Sequence, residues 1–151
     1  MDFFDALHVS SSGLSAQRLR MNLISANLAN MNTTRTKAGG PYRRKDPVFA
    51  ALAPSRSQSH EASFREMLGN RQKEHLKEVA VVGIVEDSRP PIKKYDPMHP
   101  DADGNGYVAM PNINLMEEMV NMISATRSYE ASVTAIKSAK DMALKALEIG
   151  Q

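Results

Sequence analysis

The chain has 151 residues, a net charge of +2 and no cysteine. It is one medium domain or two small ones, has no disulfide or thiolate metal site, and its overall charge singles out no class of partner. No apolar run approaches the ~20 residues that span a bilayer, and the acidic start MDFFDALHV is not a cleaved secretory signal. That fits a cytoplasmic protein or one that leaves the cell through a dedicated apparatus.

The first predicted element is a helix. Steps of four and three residues from Phe3 land on Phe3, Leu7, Ser10, Leu14, Gln17, Met21, Ile24, Leu28 and Met31, seven of them apolar. Such a repeat belongs to a helix that lies along another helix. Gly13 costs about 1 kcal/mol relative to alanine and weakens the helix near Ser10–Ser12. Asn32-Thr33-Thr34 ends it. Asn27 and Asn30 are poor helix formers beside the Ile24–Leu28–Met31 seam. They suit either a cap for the helix end or polar register pins across an interface.

From Arg35 the character changes. Lys37-Ala-Gly-Gly-Pro41 is a turn, followed by the basic run Tyr42-Arg43-Arg44-Lys45. Val48–Leu52 is a possible short strand. Residues 54–77 are polar and heavily charged, and read as a mobile insertion. Glu78–Asp87 is a β-branched strand stopped by Arg89-Pro90-Pro91. Ile92–Tyr95 and Tyr107–Met110 are two further short strands, so the middle is a small β unit of three or four strands.

The last third, Asn114 to Leu147, is the longest element. Asn114 and Glu117 form a capping box, and the same stepping gives Leu115, Met119, Met122, Thr126, Tyr129, Val133, Ile136, Lys140, Ala143 and Leu147. At ~1.5 Å per residue such a helix is roughly 50 Å long, too long for a small globule to wrap. Its partner is the N-terminal helix. The predicted fold is α+β, with long N- and C-terminal helices forming an antiparallel coiled-coil-like pair and a small β-rich central unit. Residues 1–34 and 113–151 form the helical part, and 35–112 the central part. A lone pair has little depth, so its burial is expected to be completed against other copies or other chains.

Chemistry is sparse. Asp101-Ala-Asp103-Gly-Asn105-Gly106 matches the first half of a calcium loop, but the twelfth position is Asn112 and no helix enters it. An Asx-rich turn between strands is the preferred reading. His99 beside these aspartates reads as solvated surface, and His8, His60 and His75 are isolated. No catalytic constellation, cofactor site or small-molecule site is apparent. Arg43–Lys45 could contact phosphates, which keeps a nucleic-acid-binding module, or a free coiled-coil adaptor, as the alternative.

Ser25-Ala-Asn27-Leu-Ala-Asn30 followed by Asn32-Thr33-Thr34 resembles the Asn-rich N-terminal motif of the bacterial flagellar axial (rod and hook) protein family. Glu118-Met-Val-Asn121-Met-Ile-Ser-Ala-Thr-Arg127-Ser-Tyr129-Glu130-Ala131 resembles the C-terminal helix of that family. Gly39–Lys45, Tyr95–Pro100 and Gly106–Asn112 are similar to the proximal-rod subunits of the basal body. The likeness covers residues 1–49 and 78–151, and departs at Ser132, where the family's asparagine is expected.

The resemblance implies a non-enzymatic structural subunit without cofactor. It would leave unfolded through the flagellar type III export gate and order its terminal helices on assembly. Its place would be a helical rod that crosses the periplasm and transmits torque. It would neither span a membrane nor bind nucleic acid, and its partners would be itself and other rod subunits. Phe3 and Leu7 would be the export signal, and Asn27 and Asn30 the register motif. Helix packing and assembly would use Leu7, Leu14, Met21, Ile24, Leu28, Met31, Leu115, Met119, Met122, Tyr129, Val133, Ile136 and Leu147.

Overall fold

The computed structural model describes residues 3–52 and 77–149, with side chains between Leu7 and Glu148 in those ranges. In chain order the elements are α1 (Phe3–Ala29), β1 (Lys45–Leu52), β2 (Glu78–Glu86), β3 (Ile92–Tyr95), β4 (Tyr107–Met110) and α2 (Leu115–Ile149). This is the expected α+β arrangement of two long helices with a small β region between them. The expected insertion at 54–77 lies, apart from Lys77, outside the described residues.

α1 runs unbroken through Ser10–Gly13, where composition predicts weakness. Ser12 Oγ donates to the Val9 carbonyl at 2.8 Å. At Gly13 the helix packs on α2, where an added Cβ would stand at an ordinary contact distance of 3.8 Å from Ser132 Oγ. Tertiary packing here outweighs a weak local propensity. The helix ends at Ala29, and Asn30 bonds back to its last turn. Both its backbone N and its Nδ2 donate to the Ala26 carbonyl, at 3.1 and 2.8 Å.

α2 begins where sequence places it. Asn114 Oδ1 accepts from the backbone N of Met116 at 3.0 Å and of Glu117 at 3.4 Å, which caps the helix. Glu117 and Glu118 occupy the first turn, at the positive end of the helix dipole.

The two helices pair antiparallel. Gly13 lies against Ser132, Thr126 Oγ1 reaches Met21 Sδ at 3.6 Å, and Asn27 meets Glu118. The Asn27–Glu118 end is nearly flush, two residues before α1 ends and three after α2 begins. With 35 residues against 27, α2 therefore runs on past the other end of α1. Measured from that joint the overhang is seven residues, about 10 Å of helix.

The strands form two separate antiparallel hairpins rather than one sheet. In β1–β2 the register shifts between Val48 and Phe49, which face Gly83 and Val81, so Val82 is an extra residue on β2. β1 starts three residues earlier than the sequence suggests and includes Pro47, which an edge strand tolerates. In β3–β4, Tyr95 pairs with Tyr107 and the rings meet edge to face at 5.3 Å. α1 packs against both α2 and the β1–β2 hairpin. The hub of the described structure is thus α1, not the longer α2.

A buried polar joint and an outward apolar face

Between α1 and β1 the chain makes a tight loop. Gly39 and Gly40 take positive φ (89° and 73°), Thr36 N bonds the Gly40 carbonyl, and Tyr42 N bonds the Thr33 carbonyl. The loop thereby delivers Tyr42, Arg44 and Lys45 to the end of the helix pair.

Asn27 receives them. Its Oδ1 accepts from Lys45 N at 2.9 Å and Tyr42 Oη at 3.1 Å. Its Nδ2 donates to the Lys45 carbonyl at 3.0 Å and to Glu118 Oε2 at 3.2 Å. A carboxamide has two donors and two acceptor positions, and all four are used. Glu118 is held from the other side by Arg44 Nε, 2.6 Å from Oε1, and Arg44 Nη1 also pairs with Asp46. Asn27 and Glu118 expose no surface at all. One amide thus fastens α1, α2 and the start of β1 together.

The joint is electrically matched. Burial pushes the Arg44 guanidinium down, but its bond to Glu118 and the charges of Asp46 and Glu118 outweigh this and leave it raised. Burial, reinforced by the charges of Glu86 and Glu118, raises the Tyr42 phenol, which stays a neutral donor. Lys45 Nζ pairs with Glu86 at 3.6 Å. Two of the three cations in Arg43–Lys45 are therefore engaged by carboxylates of this chain instead of forming a phosphate-facing patch.

Sequence reasoning singled out Asn27 but missed Glu118, Tyr42 and the Lys45 backbone as its partners, and Arg44 as the partner of Glu118. The two asparagines also part company. Asn27 spans the interface, whereas Asn30 bonds within its own turn, to Ala26 and to Thr33 Oγ1. Asn30 is a cap and makes no bond to α2 among the described residues.

The stripes are only partly where the repeat puts them. Ile24 is buried, and Leu7, Leu14, Met21, Leu28, Met31, Met122, Tyr129, Val133 and Ile136 are half-buried. Leu115, Met119 and Leu147 stand outside the seam, 44%, 46% and 68% exposed. The seam of α2 is centred on Glu118, Met122, Ala125, Tyr129, Ser132, Ile136, Ala139 and Ala143. It is rich in small residues and lets the helices approach closely. The side chain of Phe3 lies outside the described residues.

The displaced apolar residues collect elsewhere. Leu115, Met116, Met119, Val120 and Ile123 make an exposed face on the first turns of α2, and Met142, Leu144 and Leu147 another near its far end. The two clusters are separated by exposed Arg127, Glu130, Lys137 and Asp141. The calcium-like loop, by contrast, holds itself: Asp103 Oδ1 accepts from the backbone N of Asn105 and Tyr107, both at 2.9 Å, which makes it an Asx turn. Asp101 Oδ2 accepts from Thr34 Oγ1 at 2.7 Å. Among the described residues no helix is long and apolar enough to cross a membrane.

Comparison with known proteins finds family matches at both ends of the chain. The family described as flagella basal body rod protein matches residues 7–37, and that described as flagellar basal body rod FlgEFG protein C-terminal matches 105–149. The chain is 44% identical to the flagellar basal-body rod protein FlgC of Borreliella burgdorferi, covering all of this chain and 99% of the relative. It is 44% identical to FlgC of Bacillus subtilis and 35% to that of Salmonella typhimurium, each over the full length of both chains. The chain belongs to the FlgC family of flagellar basal-body rod proteins. As a member of that family it is a structural subunit of the basal-body rod. The two family matches fall on α1 with the loop after it and on β4 with α2, the segments that the Asn27–Glu118 joint connects.

Proposed function

We propose that this FlgC-family chain is a proximal-rod subunit, exported by the flagellar type III apparatus and assembled in the periplasmic space into a helical shaft that transmits torque. One observation carries the assembly part of the reading. The longest helix keeps an apolar face on the outside of its first turns, in addition to the seam it lays against α1. In one copy that face meets water; in a tube of terminal helices it meets neighbours. Contacts between unlike faces that do not close build filaments.

Within this reading the chain performs no catalysis and needs no cofactor. Its partners are other copies and other rod subunits. The division into a helical part (1–34 and 113–151) and a central part (35–112) separates the shaft-building segment from the segment that braces it. Phe3 and Leu7 serve the export gate, and the terminal helices complete their order on assembly. Expression in a strain lacking its own FlgC tests the reading. Wild-type chain should restore basal bodies and motility. Val133→Asp should be exported but not assembled, and Phe3→Ala should reduce export. Failure of the wild-type chain to enter basal bodies would overturn the proposal.

A further inference from the structure

The turn that leads into β4 contains Asn105-Gly106, the one Asn-Gly pair in the chain. The fold dictates the glycine. Its φ is +79°, and a Cβ there would stand 3.0 Å from Tyr95 Cε2 and 3.2 Å from Pro97 Cβ. A turn that admits only glycine at this position leaves the Gly106 nitrogen unshielded by any side chain, directly after an asparagine. Asn105 itself is exposed, so water reaches it.

We infer that Asn105 is a site of spontaneous modification, at which its side chain closes on the Gly106 nitrogen, and that the folded turn holds this reaction off. The step uses only this chain and water. Gly106 N attacks Cγ of the Asn105 side chain. The N–Cγ bond forms, the Cγ–Nδ2 bond breaks, and ammonia leaves with the proton given up by Gly106 N. Water then opens the cyclic imide at either carbonyl and gives aspartate or isoaspartate.

In the folded chain the attacking nitrogen is engaged. Gly106 N donates to the Asp103 carbonyl at 2.9 Å, and the Gly106 carbonyl accepts from Asp96 N at 2.9 Å. Asp103 clamps the rest of the turn. Its Oδ1 accepts from the backbone N of Asn105 and Tyr107, both at 2.9 Å, and its own N donates to the Tyr107 carbonyl at 2.8 Å. Attack requires the turn to open first, so the folded rate is the open-chain rate scaled by a local opening equilibrium. One hydrogen bond is worth up to about tenfold in such an equilibrium. Isoaspartate lengthens the main chain at the turn that sets the β3–β4 register, where Tyr95 pairs with Tyr107. None of this depends on the rod reading.

The test incubates purified full chain at mildly alkaline pH, folded or in guanidinium chloride, and follows Asn105 by peptide mass mapping and isoaspartate-specific methylation. In denaturant Asn105 should convert ahead of the other asparagines. The folded chain should convert more slowly by about tenfold or more. Asp103→Ala removes the two bonds to Oδ1. It should speed the folded reaction by about tenfold and leave the denatured rate unchanged, with a thermal melt showing that the variant is folded. As a second reading that needs no variant, the wild-type rate at rising denaturant should track amide exchange of Gly106.

Absence of conversion at Asn105 in denaturant overturns the site. Equal rates in folded and denatured wild type, or no acceleration in folded Asp103→Ala, overturn the protection by the turn.

Discussion

Asn27 Nδ2 lies 3.2 Å from Glu118 Oε2, and neither residue exposes surface although 91 positions separate them in sequence. The same amide holds the backbone of Lys45 at both N and carbonyl O. The joint depends on which end of the amide faces which partner. Asn27→Asp, nearly isosteric, places an oxygen against two acceptors and puts a second carboxylate beside Glu118. It should cost about 3 kcal/mol or more. Asn27→Ala only strands the partners and should cost about 2–3 kcal/mol. Urea melts of the two variants check the order, and a milder effect for aspartate would contradict the geometry.

Two glycines should respond with opposite signs. At Gly13 an added Cβ meets only Ser132 Oγ at an ordinary 3.8 Å, so Gly13→Ala should stabilise by about 0.5–1 kcal/mol through helix propensity. At Gly106 φ is +79° and a Cβ would stand 3.0 Å from Tyr95 Cε2 and 3.2 Å from Pro97 Cβ. Gly106→Ala should destabilise by about 1–3 kcal/mol through backbone strain, and should disturb the Tyr95–Tyr107 pair. Thermal melts and the tyrosine ring signals in NMR spectra read both effects.

The raised Tyr42 phenol sets an alkaline limit. Because the folded value lies above the ordinary 10.0, its contribution is complete below that value and is lost as pH rises through the folded one. Tyr42→Phe should cost about 1 kcal/mol at neutral pH and should flatten the alkaline loss of stability. Asp103 behaves in the opposite sense. Its backbone bonds to Tyr107 and Asn105 lower it, so that contribution is present above the ordinary value of 3.8 and fades as pH falls through the lowered one. Melts across a pH series of wild type and Tyr42→Phe, with loop signals followed into acid, check both signs.

Much of this fold is legible in residue order. Asn114 announces the start of α2, β-branched residues mark β2, and the heptad spacing of Leu7, Leu14 and Met21 marks α1. The rotation of α2 is not legible, because pattern reading assumes that the most apolar stripe faces inward. Leu115 and Met119 break that assumption, since a joint with Arg44 and Asn27 holds Glu118 in their place. Arg44 sits in a basic run that looks solvated until the Gly39–Gly40 loop folds it back. Which strands pair is not legible either, because strand signals carry no information about pairing.

The claim that the outward face of α2 builds the rod is tested most directly at Val120, 65% exposed. A charge there touches no buried contact of the folded chain. Basal bodies isolated from cells carrying Val120→Asp as their sole copy should lack the subunit, while the purified variant melts like wild type. Normal incorporation of Val120→Asp into the rod would contradict the claim.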